Sequence, residues 1–335
     1  MKNYNKLTIL LLACSLISCS GGGIKTETRS DAEWAAIMES ESAEQAAKES
    51  EALRLAQESR ELAESVRESE YESRRELSER IAREKEEDKA MAETDFEENR
   101  YTTFMGVDYE LTFIDTFNGH HLDESKWAYC PNWTRDQCIW TESAAYLEDG
   151  NLILAVTGDE IPYAAGAIRT RGIFEQAYGY WEMRCRLPEA EGICGAFWLM
   201  CDGAGSDAVY GASDGAEIDI IEFAHHDAEK VQHAVHFDGY EDAHQSTYHE
   251  MTIPGIYDGE YHTFSMVWTP TEYTFYIDGE KTWVLDHEDY LCHAPCYLKL
   301  TAAVGGWAGT LDPEKVPCRG LTVDYVKVYK PRGAE

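Results

Sequence analysis

An all-β sandwich or barrel behind a charged helical stalk is the fold class this 335-residue sequence predicts. Three observations predict it. Residues 20–104 are dominated by charge and carry the composition of a solvated helix. From about Tyr109 the chain changes to short aromatic and β-branched runs separated by turn residues. Two of those separators, Asp149-Gly150 and Asp278-Gly279, are hairpin dipeptides, in which both residues accept a positive φ.

The chain begins MKNYNKLTILLLACSLISCS, with Lys2 and Lys6 ahead of an apolar run too short to span a bilayer. That is the pattern of a bacterial export signal. Leu16-Ile17-Ser18-Cys19 resembles a lipoprotein processing site, which makes Cys19 the expected lipidated first residue and 1–19 the segment removed. Leu11-Leu12-Ala13-Cys14 is the weaker competitor. The expected location is therefore the bacterial cell envelope, lipid-anchored at the outer membrane or cell surface, with the periplasm as the other option.

Between Lys25 and Arg100 stand 24 acidic and 13 basic residues, with no glycine between Ile24 and Met105 and no proline before Pro131. Such a composition favours helix. Pairs four residues apart, Glu44/Lys48, Glu70/Arg74, Glu76/Arg80 and Glu79/Arg83, support it further. Leu55, Leu62, Val66, Leu77 and Ile81 keep heptad spacing only in fragments. Self-association through the stalk and a disordered acidic linker both stay open. At about 1.5 Å per residue the helix would reach on the order of 100 Å.

Residues 105–332 hold the runs LTFIDTF, NLILAVT, YGYWEMRCRL, CGAFWLM, EIDIIEF, VQHAVHF, HTFSMVW, YTFYIDG, YLKLTAAV and LTVDYVKVY. Each reads as a strand. No helical stretch separates them, and about 225 residues suits one β domain. In YGYWEMRCRL the alternation puts Cys185 on one face with Trp181, Met183 and Leu187, as a buried thiol. Eight cysteines remain beyond Cys14 and Cys19, without a Cys-x-x-Cys; export permits disulfides, but spacing does not give their pairing. The formal net charge of −34 excludes a nucleic-acid partner. No basic cluster is evident in the second region, so a neutral ligand is expected rather than a strongly sulfated or uronic one.

GAEIDIIEF carries Glu217, Asp219 and Glu222. Side chains on a strand alternate, so Glu217 and Asp219 share a face and Glu222 falls out of step. One inserted residue, a β-bulge between Asp219 and Glu222, would restore the parity. Two glutamates leaning together could then come within about 5 to 6 Å, the separation used by retaining glycosidases. One would attack the anomeric carbon while the other, its pKa raised by crowding, protonates the leaving oxygen. A solvent-facing acidic strand is the alternative.

This stretch resembles the signature of glycoside hydrolase family sixteen, in the bulged form of laminarinases and agarases rather than the unbulged form of lichenases. YGYWEMRCRLPEAEGICGAFWLM, VQHAVHFDGY, YHTFSMVWTPTEYTFYIDG, YLKLTAAVGGWAG and VDYVKVY follow in the family's order. The resemblance implies a concanavalin-like jelly-roll β-sandwich and an endo-acting, retaining hydrolase of β-linked polysaccharide needing no cofactor. Glu217 would be the nucleophile, Glu222 the acid/base and Asp219 their support. Arg169 would contact the sugar near the nucleophile, and His236 would lie beside the acid/base. Trp198 and Trp307 would be sugar platforms, against a packing role for each. Asn132 and Trp133 would belong to outer subsites. Asp324 matches an aspartate that sometimes holds a structural calcium, although Thr116 replaces a frequent acidic residue near that site.

Two departures bear on the substrate. Ala167 stands where relatives acting on β-1,3-glucan often carry arginine, and the Gly-Gly-Asn-Trp loop reads Gly-Gly-Trp here. β-1,3- or mixed-linkage glucan is the leading expectation, with galactan-type or host O-glycan chains as alternatives. Among other readings, Gly211-Ala212-Ser213-Asp214-Gly215 matches a nucleophile elbow, but a strand rather than a helix follows it. His225, His226, Asp227 and His233 fit no common metal spacing. A non-catalytic sugar-binding lipoprotein would have no need of all three acids.

Overall fold

The computed structural model describes residues 30–205, 211–225 and 229–333, which divide into two compact units between Glu76 and Leu77. Cys19 and the expected signal segment lie outside the described residues, as do His226 and Asp227. No helix among the described residues is long and apolar enough to cross a membrane.

A single helix, α1, runs Asp31–Glu98. It opens on a capping box: the Ser30 backbone N–H donates to Glu33 Oε2 at 2.7 Å, and the Glu33 N–H donates back to Ser30 Oγ at 3.4 Å. None of its side chains is buried, and the expected Glu44–Lys48 pair forms at 2.6 Å. Arg80 and Arg83 turn instead to Glu84 and Glu87.

Within the second unit the last turns of α1 are tied down by carboxylates. Asp88 accepts from the backbone N–H groups of His120 and His121 at 2.8 and 3.2 Å, and Thr116 donates to Asp95. Partial burial works against the Asp88 charge, yet these bonds hold its carboxyl below the usual range.

The rest of the second unit is two β-sheets, of twelve and seven strands among the described residues. In the larger sheet, Gly179–Arg186 lies between His262–Trp268 and Cys318–Pro331. Its alternation follows the sequence: Trp181, Met183 and Cys185 are fully buried, while Glu182, Arg184 and Arg186 are not. Asp149 and Gly150, then Asp278 and Gly279, all take positive φ and close tight hairpins.

The seven-stranded sheet positions the site. Its strands are β1 (Ala128–Tyr129), β2 (Ala167–Arg169), β3 (Ile193–Met200), β4 (Glu217–Ala224), β5 (Lys230–Phe237), β6 (Gln245–Thr252) and β7 (Tyr297–Val304). All neighbours are antiparallel, in the order β6-β5-β4-β3-β7-β2-β1. Ile218, Ile220, Ile221 and Phe223 of β4 enter the core that the two sheets share with Phe197, Leu199, Leu298 and Leu300.

Candidate active site

The ladder between β4 and β5 slips between Asp219 and Glu222: Asp219 pairs with Ala234, and Glu222 with Gln232. Two residues, Ile220 and Ile221, therefore oppose His233 alone. The β3 side shows the same insertion, since Trp198 pairs with Asp219 and Phe197 with Ile221. That is the bulge the sequence required, and it puts the third acid back on the face of the first two. Glu217, Asp219 and Glu222 accordingly line one cleft, together with Arg135, Ala196, Trp198, Thr301 and Trp307.

His233 fixes the bulge from below. Its Nδ1 lies 2.6 Å from the Ile220 carbonyl and its Nε2 2.8 Å from Thr282 Oγ1, while the ring stacks on Phe275. Burial drives its pKa down to about 4, so the neutral ring donates from Nδ1 and accepts at Nε2. In the sequence His233 stands out only within the set His225, His226, Asp227 and His233, whose spacing fits no common metal pattern. The visible signal for its actual role was a histidine at the core parity of an otherwise apolar strand face.

The three acids differ in surroundings. Asp219 is buried, and burial first, then the charges of Glu222 and Glu217, push its carboxyl well above the ordinary range. Burial likewise raises Glu222, opposed by a hydrogen bond from Gln232 Nε2 to Glu222 Oε2 at 2.8 Å. Glu217 accepts a hydrogen bond from the Tyr240 hydroxyl.

His236 pairs across from Glu217, with Nε2 3.6 Å from Asp219 Oδ2 and Nδ1 3.0 Å from His244 Nε2. The family resemblance implies a place beside the acid/base. Register places it at the other end of the trio, and Gln232 is the residue that holds Glu222. Gln232 is visible only once β5 is laid in register on β4, and Tyr240 and His244 only once the loop after β5 folds back over the site; no local pattern in the sequence marks either.

The tryptophans divide by exposure. Trp307, in a short 3-10 turn, is 42 % exposed and lines the cleft; Trp133 is 55 % exposed and meets Trp140 edge-on at 5.3 Å. Both are exposed, as is Asn132 beside Trp133. Trp198 is only 5 % exposed, donates to Thr301 Oγ1 at 3.2 Å and has Lys299 Nζ 3.6 Å above its ring. It is floor rather than platform.

One expectation is overturned: the cleft does have cations. Asp219, Trp198, Lys299 and Arg169 pair in one row across β4, β3, β7 and β2, so Lys299 and Arg169 share the acids' face. Arg135 joins them from the Thr134–Arg135 strand. Burial lowers Lys299 to about 8, and the Arg169 Nε is buried without a partner. The cluster was hidden because its members are 34 and 130 residues apart in sequence.

The remaining candidates fall elsewhere. Asp324 is taken by an ion pair with Arg184 on the twelve-stranded sheet. Ser213 sits in the 3-10 turn Gly211–Asp214 that leads straight into β4, so no elbow forms. His225 stacks on Tyr257, away from His233. A roomier cavity of about 450 Å³ lies against Arg186, Pro188, Lys315 and Arg319, whereas the enclosed space beside the acids measures about 30 Å³. Volume does not locate this chemistry; the carboxylates do.

The family model for glycosyl hydrolases family 16 matches residues 132–327, more than half of the chain. The chain belongs to that family. Its sandwich is accordingly the family's jelly roll. It is 30 % identical over 261 residues to a keratan-sulfate endo-1,4-β-galactosidase of Sphingobacterium multivorum, covering 68 % of this chain and 57 % of that protein. It is 28 % identical to glucan endo-1,3-β-glucosidase A1 of Niallia circulans, over 66 % of this chain and 38 % of the relative. The chain thus spans about half of these curated relatives, or less. The catalytic domain of an endo-1,3-β-glucanase (laminarinase) from Thermotoga petrophila superposes with a TM-score of 0.55 at 27 % identity, over 68 % of this chain and all of that one.

Proposed function

We propose that this chain is an endo-acting, retaining β-glycosidase that opens internal bonds of a β-linked polysaccharide by double displacement. The bulge carries the reading, because it sets Glu217 and Glu222 on one face about one glycosidic bond. Glu217 attacks the anomeric carbon as the sugar–oxygen bond breaks, and Glu222 delivers its proton to the departing oxygen. The glycosyl ester on Glu217 is then hydrolysed by water that Glu222, now ionised, deprotonates. Asp219 lies between them on the strand, its carboxyl raised by burial and by the charges of Glu222 and Glu217. The steps call only on carboxyl groups of the chain.

β-1,3- or mixed-linkage glucan is the first substrate class, supported by the glucanases among the relatives. The Arg135, Arg169 and Lys299 cluster favours a second, a galactan-type chain bearing sulfate or another anion, and the keratan-sulfate enzyme supports it. Reducing-end release from laminarin, lichenan, galactans and keratan sulfate, each against a Glu217→Ala control, decides between them. Equal release by both proteins would leave a binding protein.

The domain boundaries near residues 19 and 104 and the anchor at Cys19 belong to the same proposal, as does self-association of the stalk. Fatty-acid incorporation that is lost in Cys19→Ala is the expected result for the anchor. A monomer mass for the full chain would remove self-association.

A further inference from the structure

Cys201, Cys292 and Cys296 come together although they lie on different segments. Cys201 follows the last residue of β3, and the other two bracket the His-Ala-Pro turn that leads into β7. Their sulfurs all lie within 4.8 Å of one another, and those of Cys292 and Cys296 are 3.9 Å apart. All three are buried, at 4 %, 0 % and 0 % exposure. None is in a disulfide.

Elementary geometry says what such a triangle accommodates. With a 3.9 Å edge, an equilateral triangle of sulfurs has its centre about 2.3 Å from each corner, which is the zinc–thiolate bond length; at 4.8 Å the figure is about 2.8 Å. A shift of a few tenths of an ångström by each sulfur would close the set. The neighbouring polar atoms include the carbonyl oxygens Ala294 O, 3.6 Å from both Cys292 and Cys296, and Ala216 O, 3.8 Å from Cys201, and the buried Tyr273 hydroxyl, which accepts from the Cys292 backbone N–H at 2.6 Å. His293, whose Nδ1 pairs with the Tyr178 hydroxyl, does not bring a ring nitrogen into the sulfur cluster.

We propose that Cys201, Cys292 and Cys296 form a buried three-thiolate site for a thiophilic closed-shell cation, copper(I) or zinc(II). Sulfur-only donors sealed from water suit copper(I) in a trigonal arrangement; zinc(II) would draw the Ala294 carbonyl in as a fourth ligand. The position gives the site a structural purpose. Ala216 precedes Glu217, and Met200, which precedes Cys201, pairs with Glu217. A bound ion would pin the start of the nucleophile's strand to the turn before β7. This site does not depend on the glycosidase reading.

The test uses the full chain, reduced anaerobically with a phosphine, exchanged into zinc(II) in one arm and copper(I) in the other, then desalted against a weak chelator. One equivalent of one ion should be retained, with a metal–thiolate charge-transfer band and a higher unfolding temperature. Which arm retains it identifies the ion. Cys292→Ser should lose the band and the retained equivalent, whereas Cys185→Ser, a buried thiol outside the triangle, should keep both. Should the Cys292 variant fail to fold, the stoichiometry and band of the unaltered chain carry the result. Retention of neither ion, an unchanged band in Cys292→Ser, or a disulfide within the triad found by mass spectrometry of the protein as isolated would overturn the proposal.

Discussion

The helix and the cleft strand are both rich in carboxylates, yet only one set is arranged for chemistry. In the first unit the acids of α1 stand in water and reach for basic residues three or four positions away, as Glu44 does for Lys48 and Glu51 and Glu58 do for Arg54. On β4 three acids face one cleft, where burial and the charges of Glu222 and Glu217 raise Asp219, and burial and the charge of Glu217 raise Glu222. Number of charges does not distinguish the regions. Desolvation and parity do: a helix spreads its acids over a solvated surface, while a bulged strand stacks them on a half-buried one.

The largest effect that would sharpen this contrast comes from deleting acids in each region. Glu217→Ala or Glu222→Ala should lower kcat/KM on the order of 10³-fold or more, while Glu58→Ala on the helix leaves it unchanged. Comparable losses in both regions would end the distinction.

Next in size is the support of the bulge. His233→Phe keeps the ring stack but removes the donor to the Ile220 carbonyl, and should cost about 1–3 kcal/mol in urea unfolding along with a fall in kcat. The same residue has a pH signature. Its folded pKa, about 4, lies below the usual value near 6.5, so the unfolded chain binds its proton first. Stability should therefore decline as pH falls from about 6.5 toward 4, and that part of the decline should vanish in His233→Phe.

A smaller change follows from Gln232→Leu. Its amide favours the ionised form of Glu222, so removing it should raise the acid/base further and carry the alkaline limb of the pH–rate profile upward. A limb that moved down would contradict the assigned partner. Smallest of all, Lys48→Ala on the helix should change thermal stability by no more than a few tenths of a kcal/mol.

The parts legible in the sequence were those written in local periods. Alternation in YGYWEMRCRL told which face of the strand was core, Asp-Gly pairs told where hairpins close, and the absence of glycine and proline told where the helix runs. The bulge was legible too, because three acids on one strand face require it. What the sequence hid depends on register between distant strands. Nothing local sets Lys299 beside Arg169 or Gln232 beside Glu222; only the ladders do. Trp198 belongs with these, since its indole N–H goes to Thr301 and Lys299 stands over its ring in the cleft floor, contacts that only the ladders set.

The measurement closest to the centre of this account is the configuration of the sugar first released, followed by proton NMR during cleavage of the best polymer from the panel. Glu217 and Glu222 drawn together by the bulge predict the β-anomer first, with the α-anomer growing only as the product mutarotates. An α-anomer at the earliest times would mean that water enters between carboxyls set farther apart, and the paired-acid reading of β4 would be wrong.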